Sequence, residues 1–572
     1  MTHSRRLLLC AALLVPGFAS AGSPAPVAAD HGMVVTAQHL ATDVGVDVLR
    51  AGGNAIDAAV AVGYALAVVY PAAGNIGGGG FMTLHLADGR EVFIDFRERA
   101  PLQAHADMFL DANGDPDSLR STRGQLAVGV PGTVAGLELA REKYGTQQRK
   151  RLVAPAIALA ERGFVLDAGD LMLFTEATAD LMKDPASAAI FFPSGEPLKV
   201  GDRVKQKDLA RSLRAVSKRG VDGFYRGEVA ELLVKSSQAG GGIITHEDLQ
   251  QYRAVEREPI RCGYRGYTVL APPPPSSGGV TLCELLHILE AYPLADYGWN
   301  SAQAVHVTVE AMRHAYVDRN QFLGDPDFVD NPIARLLSDE HAAEIRTQIA
   351  PQHAGNSAEL APRLLQPREG THTTHYSIAD RFGNAVSVTY TLNDWFGARV
   401  TAAGTGIVLN NEMDDFTSKP GTPNLYGLVQ GEANAIAPGK RPLSSMTPSI
   451  VLRDGEPVAV LGTPGGSTII TAVLQTLLNL VDYGMDVQEA VDAPRFHHQW
   501  LPDEVQLEAR TLSPDTRRLL EGRGHRFVAM PEPNHMAAIL IGAPSLAQPA
   551  ANGKRFHGAN DPRRRTGLAA GY

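Results

Sequence analysis

Residues 371–393 read Thr-His-Thr-Thr-His-Tyr-Ser-Ile-Ala-Asp-Arg-Phe-Gly-Asn-Ala-Val-Ser-Val-Thr-Tyr-Thr-Leu-Asn. Thr371, Thr373, Thr374, Thr389 and Thr391 crowd this stretch together with His375. A threonine hydroxyl becomes a nucleophile once a base takes its proton, and a second hydroxyl can hold it in place. The plainer reading is that threonine suits β-strands, and composition alone leaves the choice among these residues open.

Three other stretches supply complementary chemistry. Gly465-Gly466 stands just before a strongly helical run, where free backbone N–H groups can hold a developing oxyanion. Asn410-Asn411-Glu412-Met413-Asp414-Asp415-Phe416 packs carboxylates that repel one another and are tolerated if a cationic group sits among them. A hard metal would want a regular ligand spacing, which is absent, so an organic ammonium is the alternative. Arg97, with Ser444 and Ser445, can grip a carboxylate. An ammonium site plus a carboxylate site describes an α-amino acid head group. Taken singly, each stretch also reads as an ordinary turn, acidic loop or surface arginine.

These residues need elements to carry them. Thr373–Ala379 and Asn384–Leu392 alternate as the two strands of a hairpin, turning at Asp380–Gly383. Met33–Ala37 reads as a strand, and Leu40–Ala51 as a helix stopped by Gly52-Gly53. Asn54 is placed to cap Ala55–Val69, a helix apolar nearly all round and therefore buried. Gly74-Asn75-Ile76-Gly77-Gly78-Gly79-Gly80 lacks the Gly-Lys-Ser/Thr of a phosphate loop, so close backbone packing is expected. Phe81–Leu86 and Glu91–Arg97 pair through Asp88-Gly89, with Asp95, Arg97 and Arg99 on one face. Helices are read at 132–144, 152–162, 280–292, 302–322 and 468–483. Short strands are read at 407–409, 450–452 and 458–461. The region 165–260 reads as helical, with a capping box at Thr245 and Asp248. Pro272–Pro275 and Ser276-Ser277 form a stiff loop, and 351–370 reads as a flexible segment.

The 572 residues exceed one ordinary domain, and 44% hydrophobic with 20% charged content fits a soluble globular protein. A formal charge of -10 excludes a nucleic-acid footprint. Residues 1–21 resemble a secretory signal, with Arg5 and Arg6, an apolar Leu7–Val15 run and Ala19-Ser20-Ala21. A periplasmic or secreted location follows, with no membrane anchor after the signal is removed. An oxidising compartment permits a disulfide between Cys262 and Cys283, and two free thiols are the alternative.

From about Gly32 to Tyr572 the chain resembles the γ-glutamyltranspeptidases, the glutathione hydrolases of the N-terminal-nucleophile superfamily. The resemblance is carried by Gly53-Asn54-Ala55-Ile56-Asp57-Ala58-Ala59, Gly74 to Gly80, Asp95-Phe96-Arg97-Glu98, Thr373-Thr374-His375-Tyr376-Ser377, Asn410 to Phe416, Pro442-Leu443-Ser444-Ser445-Met446 and Pro494-Arg495-Phe496-His497, in that order. It implies an α+β fold, a four-layer αββα sandwich. It implies a precursor that cuts itself between His372 and Thr373, giving a large subunit (22–372) and a small subunit (373–572) that stay together as a heterodimer. Thr373 would be the nucleophile and its freed amine the base, with Thr391 supporting the hydroxyl. Gly465 and Gly466 would form the oxyanion hole. Arg97, Ser444 and Ser445 would bind the α-carboxylate, and Asn393, Glu412 and Asp415 the α-ammonium. Tyr426, within Pro420–Gly427, would cover the bound group. No cofactor or metal is implied, and His497 and His498 read as structural. Substrates would be glutathione and other γ-glutamyl compounds, with water, amino acids or dipeptides as acceptors. The rival readings are a cephalosporin (glutaryl) acylase and a non-enzymatic amino-acid binder on the same fold.

Overall fold

The computed structural model describes residues 22–360, 372–548 and 555–572. The expected signal and the second half of the segment read as flexible lie outside these. Within that segment, Ser357–Leu360 forms a short helix instead, with the Ser357 N–H held by Asp503 at 3.0 Å.

Two seven-stranded antiparallel sheets stack face to face. The first runs in the order Leu568–Gly571, Gly32–Thr36, Thr374–Asp380, Ala385–Thr391, Gly79–His85, Glu91–Phe96 and Val255–Arg257. The second runs Val27–Ala29, Phe556–Asn560, Ala537–Ile541, Glu456–Gly462, Ser449–Arg453, Tyr267–Ala271 and Ile260–Tyr264. The hairpin singled out from sequence is therefore the centre of a sheet, and every residue of its strands is buried.

Strand alternation sorts the layers. Val34, Tyr376, Ile378, Val386 and Val388 face a helical layer that contains Ala55–Val69. Met33, Val35, Ala379 and Ala385 face the second sheet, meeting Leu270, Ile450, Val460 and Ile539. Val451, Leu461 and Leu540 point to the other side, into a layer built from Gly278–Leu289, Ala302–Phe322 and Thr468–Val481. The result is the αββα sandwich.

The intersheet layer is partly polar. His375 packs over Gly462 and reaches Thr389 Oγ1 at 2.8 Å. The Ser377 and Ser387 hydroxyls donate to the Ala537 and Leu461 carbonyls of the facing sheet, each at 3.0 Å. Thr389, read from sequence as an ordinary strand residue, belongs to this lattice. The helix at Ala55–Val69 is buried along its whole length and begins with a reciprocal Asn54–Asp57 cap. The Ala55 N–H donates to Asp380 Oδ2 at 2.7 Å, while Asp380 Oδ1 accepts from Phe382 and Asn384 N–H. One carboxylate thus ties the hairpin turn to a helix N-terminus.

Cys262 and Cys283 are bonded, linking the edge strand to the helix beneath it. The strand read at 407–409 pairs only with Thr401–Ala402, outside both sheets. The glycine run packs backbone against backbone, and a Cβ at Gly78 would overlap the Thr391 carbonyl. Gly78→Ala is expected to cost about 1–3 kcal/mol, the usual range for overpacking a tight interior. A lowered denaturant midpoint is the check.

Candidate active site

Thr373 stands one residue before the central strand, and Thr391 ends the strand beside it. Both are buried. The Thr391 hydroxyl lies 3.3 Å from Thr373 Oγ1 and 3.0 Å from the His372 carbonyl oxygen, so its one proton can serve either. It also accepts the Asn393 N–H at 2.8 Å. Asn393 adopts φ 78°, a left-handed conformation that asparagine tolerates better than most residues. That turn sends the Asn393 carbonyl to the Tyr426 hydroxyl at 2.6 Å, which also contacts Asn393 Oδ1.

His372 is clasped. Its ring lies tilted by 35° against Trp395 with centroids 4.7 Å apart, and its nitrogens lie 3.2 Å from Asp394 and 3.4 Å from Glu532. Burial lowers its pKa to about 4, so the imidazole is neutral near pH 7. None of these neighbours was singled out from sequence, because Asp394 and Trp395 arrive through the turn after Thr391 and Glu532 from far along the chain.

Arg97 sits just past the end of Glu91–Phe96, on a buried face. Its guanidinium contacts Glu412 and Asp415 and donates to the Pro442 carbonyl at 3.1 Å and the Leu443 carbonyl at 3.3 Å. Sequence reasoning put Arg97 with Ser444 and Ser445 and placed the acidic residues apart. The structure brings the two groups into direct contact, because a buried guanidinium must be neutralised. Burial works against the Arg97 charge, but the Glu412 and Asp415 carboxylates outweigh it and hold the group above its ordinary value. Glu98 adds a third carboxylate 3.8 Å away. Burial raises both Glu98 and Glu412, so this group retains a proton. Among the described residues, Glu412 Oε2 and Asp415 Oδ1 are buried and accept no hydrogen bond.

Ser444 and Ser445 are held by the stiff loop at 272–277. The Ser444 N–H donates to the Pro275 carbonyl at 2.9 Å, and Ser277 returns its N–H to the Ser444 carbonyl at 2.8 Å. Arg319, on the long helix at Ala302–Phe322, was missed. It is buried and donates to Ser445 Oγ and Ser277 Oγ, both at 2.9 Å. Burial lowers it to about 10, which leaves it charged near neutral pH. No motif marks it, since an arginine on a mixed helix looks like any surface residue.

Gly465 and Gly466 adopt φ 140° and 55°, where a side chain would be strained. They form the turn before Thr468–Val481. Among the described residues no hydrogen bond engages either N–H. Asn534, also missed, braces the turn through the Pro464 carbonyl at 2.6 Å and Thr468 Oγ1 at 2.9 Å. One narrow cavity is lined by Thr373, Thr391, Asn393, Arg97, Glu412, Asp415, Tyr426, Ser444, Ser445 and Gly466, with Arg319 and Leu428. Gly465 stands behind Gly466 rather than on its wall. His497 and His498 lie elsewhere, bonded to Thr471 at 2.8 Å and Asp503 at 3.3 Å.

The proton held near Glu98 has a measurable consequence. Burial raises Glu98 from 4.5 to about 7, against the pull of Arg97. The native state thus binds a proton that the unfolded chain has released, so this stability is full below 4.5 and is lost as pH rises through about 7. Glu98→Gln stays neutral throughout. Its Tm should gain on the parent's between pH 4.5 and about 7 and keep the gain above. Parallel Tm–pH curves would show that Glu98 does not hold the proton.

Known proteins resemble this chain along nearly its whole length. Residues 41–571 match the family model described as gamma-glutamyltranspeptidase. A glutathione hydrolase proenzyme of Pseudomonas sp. (strain A14) is 62% identical over 572 residues, covering 100% of this chain and 99% of that protein. One from Escherichia coli (strain K12) is 48% identical, with 100% and 99% coverage. A crystal structure of cephalosporin acylase from Bacillus halodurans superposes with a TM-score of 0.84 at 29% identity, covering 98% of this chain and 99% of that one. A family match across nearly the whole length, on a site whose parts converge as described, means that this chain belongs to the gamma-glutamyltranspeptidase family.

Proposed function

We propose that the protein is a self-processing γ-glutamyl acyltransferase and glutathione hydrolase, cut between His372 and Thr373 into subunits 22–372 and 373–572 that remain one heterodimer. The observation that carries this reading is the cavity itself. A guanidinium, two buried carboxylate oxygens without partners and the Thr373 hydroxyl converge on one space. That is the complement of a zwitterionic amino-acid head with a reactive group at its far end.

In this mechanism the chain first breaks at His372–Thr373, with Thr373 Oγ1 attacking the His372 carbonyl while Thr391 donates to that oxygen. Collapse of that adduct breaks the His372–Thr373 C–N bond and frees the Thr373 amine, whose reference pKa of about 8 suits a base near neutral pH, and water then hydrolyses the ester to give the His372 carboxylate and the Thr373 hydroxyl. In turnover the amine takes the hydroxyl proton as Oγ1 attacks the γ-glutamyl amide carbon. The Gly465 and Gly466 N–H groups hold the oxyanion. The proton passes to the leaving amine, the C–N bond breaks, and a γ-glutamyl ester remains on Thr373. Water or an acceptor amine then takes the acyl group.

The substrate's charges replace an ion pair rather than adding one. Its carboxylate takes Arg97, Ser444 and Ser445, backed by Arg319. Its ammonium takes Asn393, Glu412 and Asp415, and Tyr426 covers both. Burying a matched zwitterion against matched partners avoids an uncompensated charge. The second reading, a glutaryl acylase, is favoured by the likeness to the cephalosporin acylase. A glutaryl group lacks the ammonium and would leave Glu412 and Asp415 facing Arg97 alone. A periplasmic or secreted location is supported by the Cys262–Cys283 bond. Among the described residues no helix is long and apolar enough to cross a membrane.

Thr373→Ala should remain one uncut, inactive chain, and the smaller parent fragment should begin Thr-Thr-His-Tyr-Ser. Any other start defeats the assignment. Asp415→Asn should lower kcat/KM for a γ-glutamyl anilide by roughly 10- to 150-fold, as expected for losing a hydrogen bond to a charged group worth about 1.5–3 kcal/mol. The rate on a glutaryl anilide should change little. A parent preference for the glutaryl anilide would favour the acylase.

A further inference from the structure

On the far side of the second sheet, three helices bring Glu284, Asp318 and His341 together. They come from Gly278–Leu289, Ala302–Phe322 and Asp339–Gln348 respectively. His341 Nε2 lies 2.7 Å from Asp318 Oδ2 and 3.6 Å from Glu284 Oε1, and the three donor atoms all lie within 4.8 Å of one another. The Glu284 side chain is 1% exposed, and its Oε1 accepts no hydrogen bond among the described residues. Burial and a hydrogen bond shared with Asp318 raise Glu284 well above its ordinary value, so the two carboxylates share a proton, and a divalent cation beside the imidazole would take that proton's place.

We propose that Glu284, Asp318 and His341 form a binding site for a divalent first-row cation, Zn²⁺ or Mn²⁺, that fastens the three helices together. Two ionised carboxylates offset a 2+ charge, and the imidazole adds a nitrogen donor. Donors about 2.0–2.2 Å from a cation stand roughly 3–3.5 Å apart, a spacing that brackets the two distances from His341. The mixed oxygen and nitrogen set suits these ions better than Ca²⁺ or Mg²⁺, which prefer oxygen alone. Asp318 and His341 are 13% and 10% exposed, leaving a rim through which the ion enters and water completes its shell. Arg335 and His314 are the other charged or titratable groups acting here. Arg335 favours the Glu284 charge, and burial lowers His314 to about 4, so His314 does not compete as a cation.

The site lies outside the catalytic cavity but is joined to it covalently. Asp318 precedes Arg319, whose guanidinium holds Ser445 Oγ. A cation on Asp318 would fix the helix that positions that contact.

The test uses the processed, chelator-treated full protein, with Co²⁺ as a spectroscopic probe and Zn²⁺ for thermal shifts. The parent should take up one Co²⁺ per heterodimer with a visible d–d spectrum, and Zn²⁺ should raise its Tm. His341→Ala and Glu284→Gln should each lose the spectrum and the Tm rise. Glu284→Gln keeps the side-chain shape, and His341 is near the rim, so at least one variant should fold. His306→Ala, in the separate buried group of His306, Glu310 and His525, should retain both signals. The proposal is overturned if the parent takes up no stoichiometric cation, if binding persists in both variants, or if only His306→Ala abolishes it.

Discussion

The charge balance around Arg97 is the constraint on which the site depends. A guanidinium with no solvent contact is tolerable only when carboxylates meet it. Here they come from two directions, Glu98 beside it in the chain and the turn at Glu412–Asp415 far along it. The Pro442 and Leu443 carbonyls accept two more of its N–H groups. Three chain segments are thereby drawn to one point, and the serines that follow Leu443 arrive with them. The proton kept near Glu98 and Glu412 is the residue of that balance, because one guanidinium does not neutralise three carboxylates.

The two sheets supply the rigidity that this cluster needs. Between them lies a layer of aliphatic side chains such as Val35, Leu270, Ile450 and Ile539, interspersed with alanines and with serines whose hydroxyls reach carbonyls of the opposite sheet. The apolar packing holds the sheets together, and the directional hydrogen bonds keep one from sliding over the other. Thr373 and Thr391 sit at the end of the same two strands, where that registry is passed on to the cavity.

The strand and helix pattern was largely legible, because alternation and capping are local. Asn54 and Thr245 cap where their neighbours said they would. The hairpin's polar face was visible as an anomaly, but its cause was not. An intersheet layer buries both faces of a strand, and sequence alone does not tell a hydroxyl that bonds a facing carbonyl from one that meets water. At the candidate site, residues within recognisable motifs came together in one cavity. Arg319, Asn534 and Trp395 were invisible, since the first two act through partners far along the chain and the third through a backbone turn. The contact of Arg97 with Glu412 and Asp415 was likewise hidden, because spacing along the chain says nothing of which charges meet. The triad of Glu284, Asp318 and His341 comes from three helices and leaves no spacing signal.

The Thr391 hydroxyl stands within reach of both the His372 carbonyl and Thr373 Oγ1, and it has one proton to give. On the proposed mechanism this makes it a clock. While the peptide bond is intact the proton points at the carbonyl and favours scission; once that carbonyl has gone, the same proton has only the nucleophile left to serve. Maturation and turnover therefore draw on one atom in succession, and neither can be tuned by natural variation at this position without retuning the other.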